Sequence, residues 1–123
     1  MSDALDEFGR LVMEQLRDKA LESADRMLNG DSKAPRMRQL QADLDRLTDE
    51  ERAVARRLVG HVIDAAVHDF LFGLDEACNA RWISIRVHGE DIAAETDGLQ
   101  GEPFGERGWQ ARFSRYGRAP DGA

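Results

Sequence analysis

The chain has 123 residues, of which 41% are hydrophobic and 33% charged, and its formal net charge is −7 at pH 7. This length suits one domain with a real core, and a negative chain is repelled by nucleic-acid phosphates unless a local basic face attracts them. No apolar run approaches the ~18 residues of a membrane span. With one cysteine and no apolar segment at its N-terminus, the sequence predicts a cytoplasmic protein that binds neither nucleic acid nor membranes.

Residues 3–28 are predicted to form the first helix. Apolar residues recur there at the spacing of one helical face, at Leu5, Phe8, Val12 and Leu16. The pair Asn29-Gly30 tolerates the left-handed conformation that ends helices, so we expect the helix to stop there.

A second, short helix is predicted over residues 35–47, with Pro35 in its first turn. Its apolar residues follow spacings of three and four: Met37, Leu40, Leu44 and Leu47. Such a stripe packs against the first helix in one interpretation, and forms the seam of a homodimer in the other. The sequence leaves both a monomer and a homodimer open.

A third helix is predicted to start at the capping box of Thr48 and Glu51 and to run to Gly73. Its apolar residues span a wide arc, which favours a central position in the fold. Asp69 projects into that arc and is therefore expected to be a buried polar anchor, paired with an arginine or with backbone amides. A general base with a raised pKa is the alternative role for Asp69.

After Gly73 the pattern changes to the alternation of a strand. Residues 81–88 are predicted to form one strand, Gly89-Glu90 a turn and residues 91–95 a returning strand. Residues 106–116 fit either a helix or a strand, and we favour a short helix. The predicted fold class is therefore α+β: three N-terminal helices packed with a small antiparallel β-hairpin and a glycine-rich C-terminal segment. We expect one domain over residues 1–123, with a helical part (1–74) and a hairpin and cap packed on the third helix (75–123).

Histidines and aspartates on the third helix are the candidates for chemistry. His61 and His68 are seven residues apart, about 10 Å along the axis, so they cannot share one ion with ligands at about 2 Å. We therefore predict no metal and no other cofactor. A small metal-dependent or acid/base enzyme remains an alternative, and it would use four residues: Asp64, His68, Asp69 and His88.

The acidic residues of the hairpin and of the loop after it are the strongest candidate for a binding surface. Residues 87–106 contain no lysine or arginine, so a basic protein is the natural partner of this surface. The residues expected to contact such a partner are five acids and one aromatic anchor: Glu90, Asp91, Glu95, Asp97, Glu102 and Trp109. For Trp109, packing within the fold is the favoured alternative to the anchor role.

The run from His68 to Ser114 resembles small uncharacterised bacterial proteins. It contains HDFLFGLDEA, a short alternating strand with a glycine turn, DIAAETDGLQGE and GWQARFS. Some proteins of this size and layout are immunity proteins, which neutralise a toxin delivered between neighbouring cells. The resemblance implies inhibition by binding rather than catalysis. The leading expectation is a non-enzymatic, cytosolic protein-binding domain of immunity type, and a homodimeric structural or regulatory protein is a further alternative.

Overall fold

The computed structural model describes residues 3–119, which are mostly helical and include one small antiparallel sheet. Helix α1 (Asp3–Val12) continues through a π-helical turn (Met13–Arg17) into helix α2 (Asp18–Leu28). Asn29 ends α2, and Gly30 has a φ of +79° that glycine adopts without strain. The prediction of a first helix that stops at this pair is confirmed.

Helix α3 (Arg38–Asp45) follows a 3-10 turn over Pro35–Met37 and packs on α2. The side chain of Gln41 fixes this contact, because its Nε2 donates a hydrogen bond of 2.8 Å to the carbonyl of Met27. Helix α3 therefore meets the first helical region through Gln41, and Leu40 of its apolar stripe remains 45% exposed.

Helix α4 (Asp49–Asn79) has 31 residues and begins at the predicted capping box. The Glu51 amide donates to the Thr48 hydroxyl at 3.2 Å, and the Glu51 carboxylate accepts from the Thr48 amide at 2.8 Å. The predicted end at Gly73 is wrong. A single glycine costs a helix only about 1 kcal/mol, and burial of Ala77 beyond it favours continuation.

The hairpin consists of strands β1 (Arg86–Val87) and β2 (Glu90–Asp91), with Val87 paired to Glu90. Its two-residue turn is therefore His88-Gly89, with φ values of +52° and +81°, as a type I′ turn requires. The prediction of a hairpin holds, but its strand bounds and its turn at Gly89-Glu90 are wrong. After β2 the chain closes into a 3-10 turn over Ile92–Glu95 instead of extending.

One core joins the helices to the C-terminal part. Its buried residues are Ala4, Leu5, Met13, Val67, Leu71, Ile92, Leu99 and Trp109. Strand β1 packs on the first helix, which was not predicted, and the Leu99–Gly101 turn of the C-terminal cap packs on α4 as expected. No helix within residues 3–119 is long and apolar enough to cross a membrane.

Trp109 is the centre of this core and opens helix α5 (Trp109–Phe113). The favoured helical interpretation of this segment is confirmed in a shorter form. Trp109 is fully buried, and its ring meets Phe8 edge-on with the centroids 6.0 Å apart. Gly9 makes room for it, since a Cβ there would lie 2.3 Å from the indole. The expectation that Trp109 anchors a partner is therefore wrong.

The buried carboxylate of α4 is Asp75 and not Asp69. Asp75 accepts hydrogen bonds from the Leu99 amide at 3.0 Å and from the Asn79 side chain at 3.2 Å. Asp69 is the opposite case, with a side chain that is 81% exposed. Asp69 lies about 200° around the helix from the buried Val67, because each residue turns an α-helix by about 100°.

Candidate functional site

Helix α4 exposes apolar side chains along the part that precedes its core contacts. Val54, Leu58 and Val62 are 54%, 62% and 54% exposed. On one side of this surface, exposed residues recur at spacings of four and three. This row, the α4 stripe, consists of Val54, Leu58, His61, Ala65, His68 and Phe72. Its spacing is that of the contact seam between two packed helices.

The α4 stripe borders a groove of about 1030 Å³, which we call the α4 groove. The opposite side is formed by the C-terminal segment with Tyr116, Arg118 and Ala119. Leu21 of α2 and Gly60 of α4 contribute the lining between the two sides. Near His68 the groove meets Phe104, and the centroids of these two rings are 6.1 Å apart.

A buried arginine holds the C-terminal side of the groove in place. The Arg17 side chain is 4% exposed, and its Nε and Nη2 donate to the Asp64 carboxylate at 2.7 and 3.4 Å. Its Nη1 donates to the Ser114 hydroxyl and to the Gly117 carbonyl, both at 2.8 Å. Because one guanidinium bonds α4 and the C-terminal segment together, it sets the separation of the two sides of the groove.

Asp18, the residue after Arg17, also holds the C-terminal segment in place. Its carboxylate accepts from the Ser114 hydroxyl and, at 3.0 Å, from the Arg115 amide. Sequence reasoning missed both Arg17 and Asp18. The apolar spacing predicts that Leu16 shares the packed face of Leu5, but the structure leaves Leu16 46% exposed. The π-helical turn interrupts the 3.6-residue period there, so that the surface falls at Leu16 and the interior at Arg17.

The charged lining of the α4 groove is mainly positive. Four arginines and one aspartate line it, together with two histidines: Arg17, Arg56, Arg57, Arg118, Asp64, His61 and His68. The charge of Arg17 is balanced by Asp64, and Arg56 pairs with Asp25 outside the lining. Arg57 and Arg118 have no carboxylate partner among residues 3–119. A positive groove on a chain of net charge −7 is thus a local feature of the surface.

The residues of the enzyme alternative have separate partners. Asp64 is engaged by Arg17, and the His68 ring bonds the Asp69 carboxylate at 3.1 Å on the surface. His88 lies at the hairpin turn, where its Nε2 is 2.7 Å from the Glu7 carboxylate. Over the part of the chain that the structure describes, no group of three or more His, Cys, Asp or Glu residues could hold a metal ion.

The acidic residues of the predicted partner surface fall into two groups. Glu90, Glu95 and Asp97 are exposed. Asp91 and Glu102 are half-buried and serve the fold, since Asp91 accepts from the Ala93 amide at 3.1 Å and Glu102 accepts from the Thr96 hydroxyl at 2.7 Å. Three of the five predicted acids therefore remain available to a partner.

Cys78 lies on α4, close to the hairpin and to Asp75. Desolvation by burial, assisted by the negative charges of Asp91 and Asp75, raises the pKa of the Cys78 thiol above its ordinary value. The thiol therefore stays protonated at neutral pH, which suits a small apolar role better than a nucleophilic one.

No family model matches this chain, and comparisons with curated proteins and with solved structures find no similar protein.

Proposed function

We propose that the protein is a non-enzymatic protein-binding domain and that the α4 groove is its binding surface. The observation that carries this proposal is the exposure of Val54 and Leu58, which line the groove. Contiguous apolar surface is costly to leave in water and typically marks a site of interaction. A cytoplasmic location is part of the same proposal.

The shape of the groove favours a segment of another protein over a small molecule. From Val54 to His68 the α4 side rises through fourteen residues, about 21 Å at 1.5 Å per residue. Small-molecule sites enclose most of the ligand surface. A long groove with an exposed apolar side instead fits an elongated partner segment, which buries the stripe along its whole length.

The proposal is tested by crosslinking from the groove itself. A photo-crosslinking amino acid replaces Leu58 in cells of the source organism, the crosslinked protein is identified by mass spectrometry, and its purified form is titrated with the unlabelled chain. We expect Leu58→Asp to weaken this binding at least about a hundredfold, since a central apolar contact carries about 3 kcal/mol.

Leu11→Asp is the matched control. Leu11 lies on α1 and is 57% exposed, against 62% for Leu58, so both substitutions place a carboxylate at an equally exposed leucine. Binding that survives Leu11→Asp and is lost in Leu58→Asp supports the groove. Equal binding by both variants contradicts the proposal.

A basic protein partner for the acidic surface, including the toxin-neutralising role that the resemblance implies, is a second proposal. It is supported by the exposure of Glu90, Glu95 and Asp97, for which the structure describes no cationic partner within residues 3–119. If the triple change to lysine leaves partner binding and its salt dependence unaltered, this second surface is excluded.

A further inference from the structure

We infer that the occupant of the α4 groove is an amphipathic α-helix of a partner protein whose polar face is acidic. This inference rests on the proposed function and adds the secondary structure and the charge of the bound segment. Two independent observations carry it: the spacing of the α4 stripe and the unbalanced arginines of the groove.

The spacing of the stripe indicates a helical occupant. Spacings of four and three along α4 leave holes into which the side chains of a second helix insert. An extended segment would need an unpaired strand edge to supply backbone hydrogen bonds. The lining comes from helices, whose backbone groups are already bonded, and from the C-terminal segment, while the only sheet within residues 3–119 has strands of two residues.

The charge of the lining indicates an acidic occupant. Arg57 and Arg118 lack carboxylate partners within the described chain and lie beside the apolar stripe. A helix that buries leucine-like residues against the stripe brings its flanking positions next to these guanidiniums. Glutamates at those positions would be attracted, whereas lysines would be repelled by like charge.

A second copy of this chain fits the groove less well than a partner. A two-fold dimer uses the same patch on both subunits. The positive lining of one copy, with Arg57 and Arg118, would then face the positive lining of the other. Self-association through the α4 stripe would therefore bring like charges together, and a partner of opposite charge avoids this repulsion.

The test uses two synthetic, fluorescein-labelled peptides of about 14 residues, which match the α4 side in length. Both carry leucines at alternating spacings of three and four. One has glutamates at the flanking positions and its twin has lysines. Fluorescence anisotropy with the full chain is expected to give about tenfold tighter binding of the acidic peptide at low salt, and a smaller difference at high salt.

Charge-reversal variants locate this preference in the groove. The double variant Arg57→Glu/Arg118→Glu is expected to favour the lysine peptide. The matched control is Arg36→Glu/Arg38→Glu, which changes the net charge equally at exposed positions outside the lining. The control should keep the preference for the acidic peptide, because its charges lie away from the bound helix.

Each contrary outcome separates the inference from the proposed function. Suppose that both peptides bind with equal affinity and that Leu58→Asp abolishes this binding. The groove then remains a binding site, but its preference for an acidic helix is overturned. If neither peptide binds while the crosslinked partner still depends on Leu58, the helical occupant is wrong and the proposed function stands. A dimer in light scattering that Leu58→Asp dissociates would identify a second copy as the occupant and overturn the inference.

Discussion

The two ends of helix α4 contrast sharply in the burial of their aliphatic residues. Towards the C-terminus, Val67 and Leu71 are 3% and 1% exposed, because the core and the Leu99–Gly101 turn cover them. Towards the N-terminus, Val54, Leu58 and Val62 are more than half exposed. The C-terminal end buries one face in the core and exposes Phe70 and Phe72 on the other, whereas the N-terminal end leaves most of its apolar surface available for an interaction.

The apolar pattern of α4 does not distinguish its covered residues from its exposed ones. Periodicity shows that a helix is able to pack, but it does not show that the packing partner belongs to the same chain. The wide apolar arc of α4 suggested contacts on several sides. Residues 3–119 supply those contacts on the side of Val67 and Leu71, and they leave Val54, Leu58 and Val62 exposed.

Replacing each tryptophan in turn tests the core, and we expect the largest loss of stability of all the variants at Trp109. Trp109→Ala removes a fully buried ring and should lower the free energy of unfolding by about 3–5 kcal/mol, measured by urea denaturation. Trp82 is 76% exposed, so Trp82→Ala should change the free energy of unfolding by less than about 0.5 kcal/mol. Similar losses in the two variants would contradict the assignment of Trp109 to the core.

The guanidinium that joins the two sides of the groove is the next target. Arg17→Met keeps the side-chain length but leaves the Asp64 carboxylate, which is 14% exposed, without its cation. We expect a loss of about 3 kcal/mol, because a partly buried charge is stranded. Adding Asp64→Leu removes that charge and should restore much of the loss.

Arg56→Met is the control for this prediction. Its ion pair with Asp25 is 31% and 38% exposed, so solvent screens it and the loss should stay below about 1 kcal/mol. Equal losses of unfolding free energy in the Arg17 and Arg56 variants would show that burial does not determine how much each ion pair contributes to stability.

The sequence predicts the elements better than it predicts their faces. The capping box of Thr48 and Glu51, the stop at Asn29-Gly30 and the short helix near Trp109 are local signals, and the structure confirms them. Register and burial depend on neighbours distant in the chain. The turn therefore moved by one residue to His88-Gly89, and the role given to Asp69 belongs to Asp75.

The groove was beyond sequence reasoning for the same physical reason. Its two sides are joined by bonds from Arg17 to Asp64 and Ser114, which lie 47 and 97 positions apart from it in the chain. Periodicity carries no information about such contacts. Only the apolar residues of α4 could be identified in advance, and they were expected to face the core.

Two glycines differ in the space around them, Gly9 in the core and Gly73 on the exposed part of α4. At Gly9 a new Cβ would meet the Trp109 ring at 2.3 Å, so Gly9→Ala should lower the unfolding free energy by about 1–3 kcal/mol. At Gly73 nothing lies within 4 Å, and Gly73→Ala should raise it by about 1 kcal/mol through helix propensity. Thermal denaturation of both variants measures the opposite signs, and shifts of the same sign would contradict this account.

The smallest expected effect concerns the capping box at the exposed start of α4. Hydrogen bonds from the Thr48 amide, and then from its side chain, lower the pKa of Glu51 below its ordinary value of 4.5. A carboxyl whose pKa is lower in the folded chain binds fewer protons there than in the unfolded chain. Its stabilising contribution is therefore present above about pH 4.5 and is lost as the pH falls through the folded pKa.

Thr48→Ala removes the hydroxyl that accepts from the Glu51 amide, leaves the Thr48 backbone amide in place, and should cost about 1 kcal/mol at neutral pH. Glu51→Gln keeps an acceptor but carries no charge, so the difference between it and the parent chain should shrink as the pH falls below 4.5. Glu50→Gln is the control, because Glu50 lies in the same first turn outside the box. Urea midpoints measured from neutral to acidic pH give the comparison. A Glu51→Gln difference that stays constant with pH would show that the Thr48 contact does not depend on the ionised carboxylate.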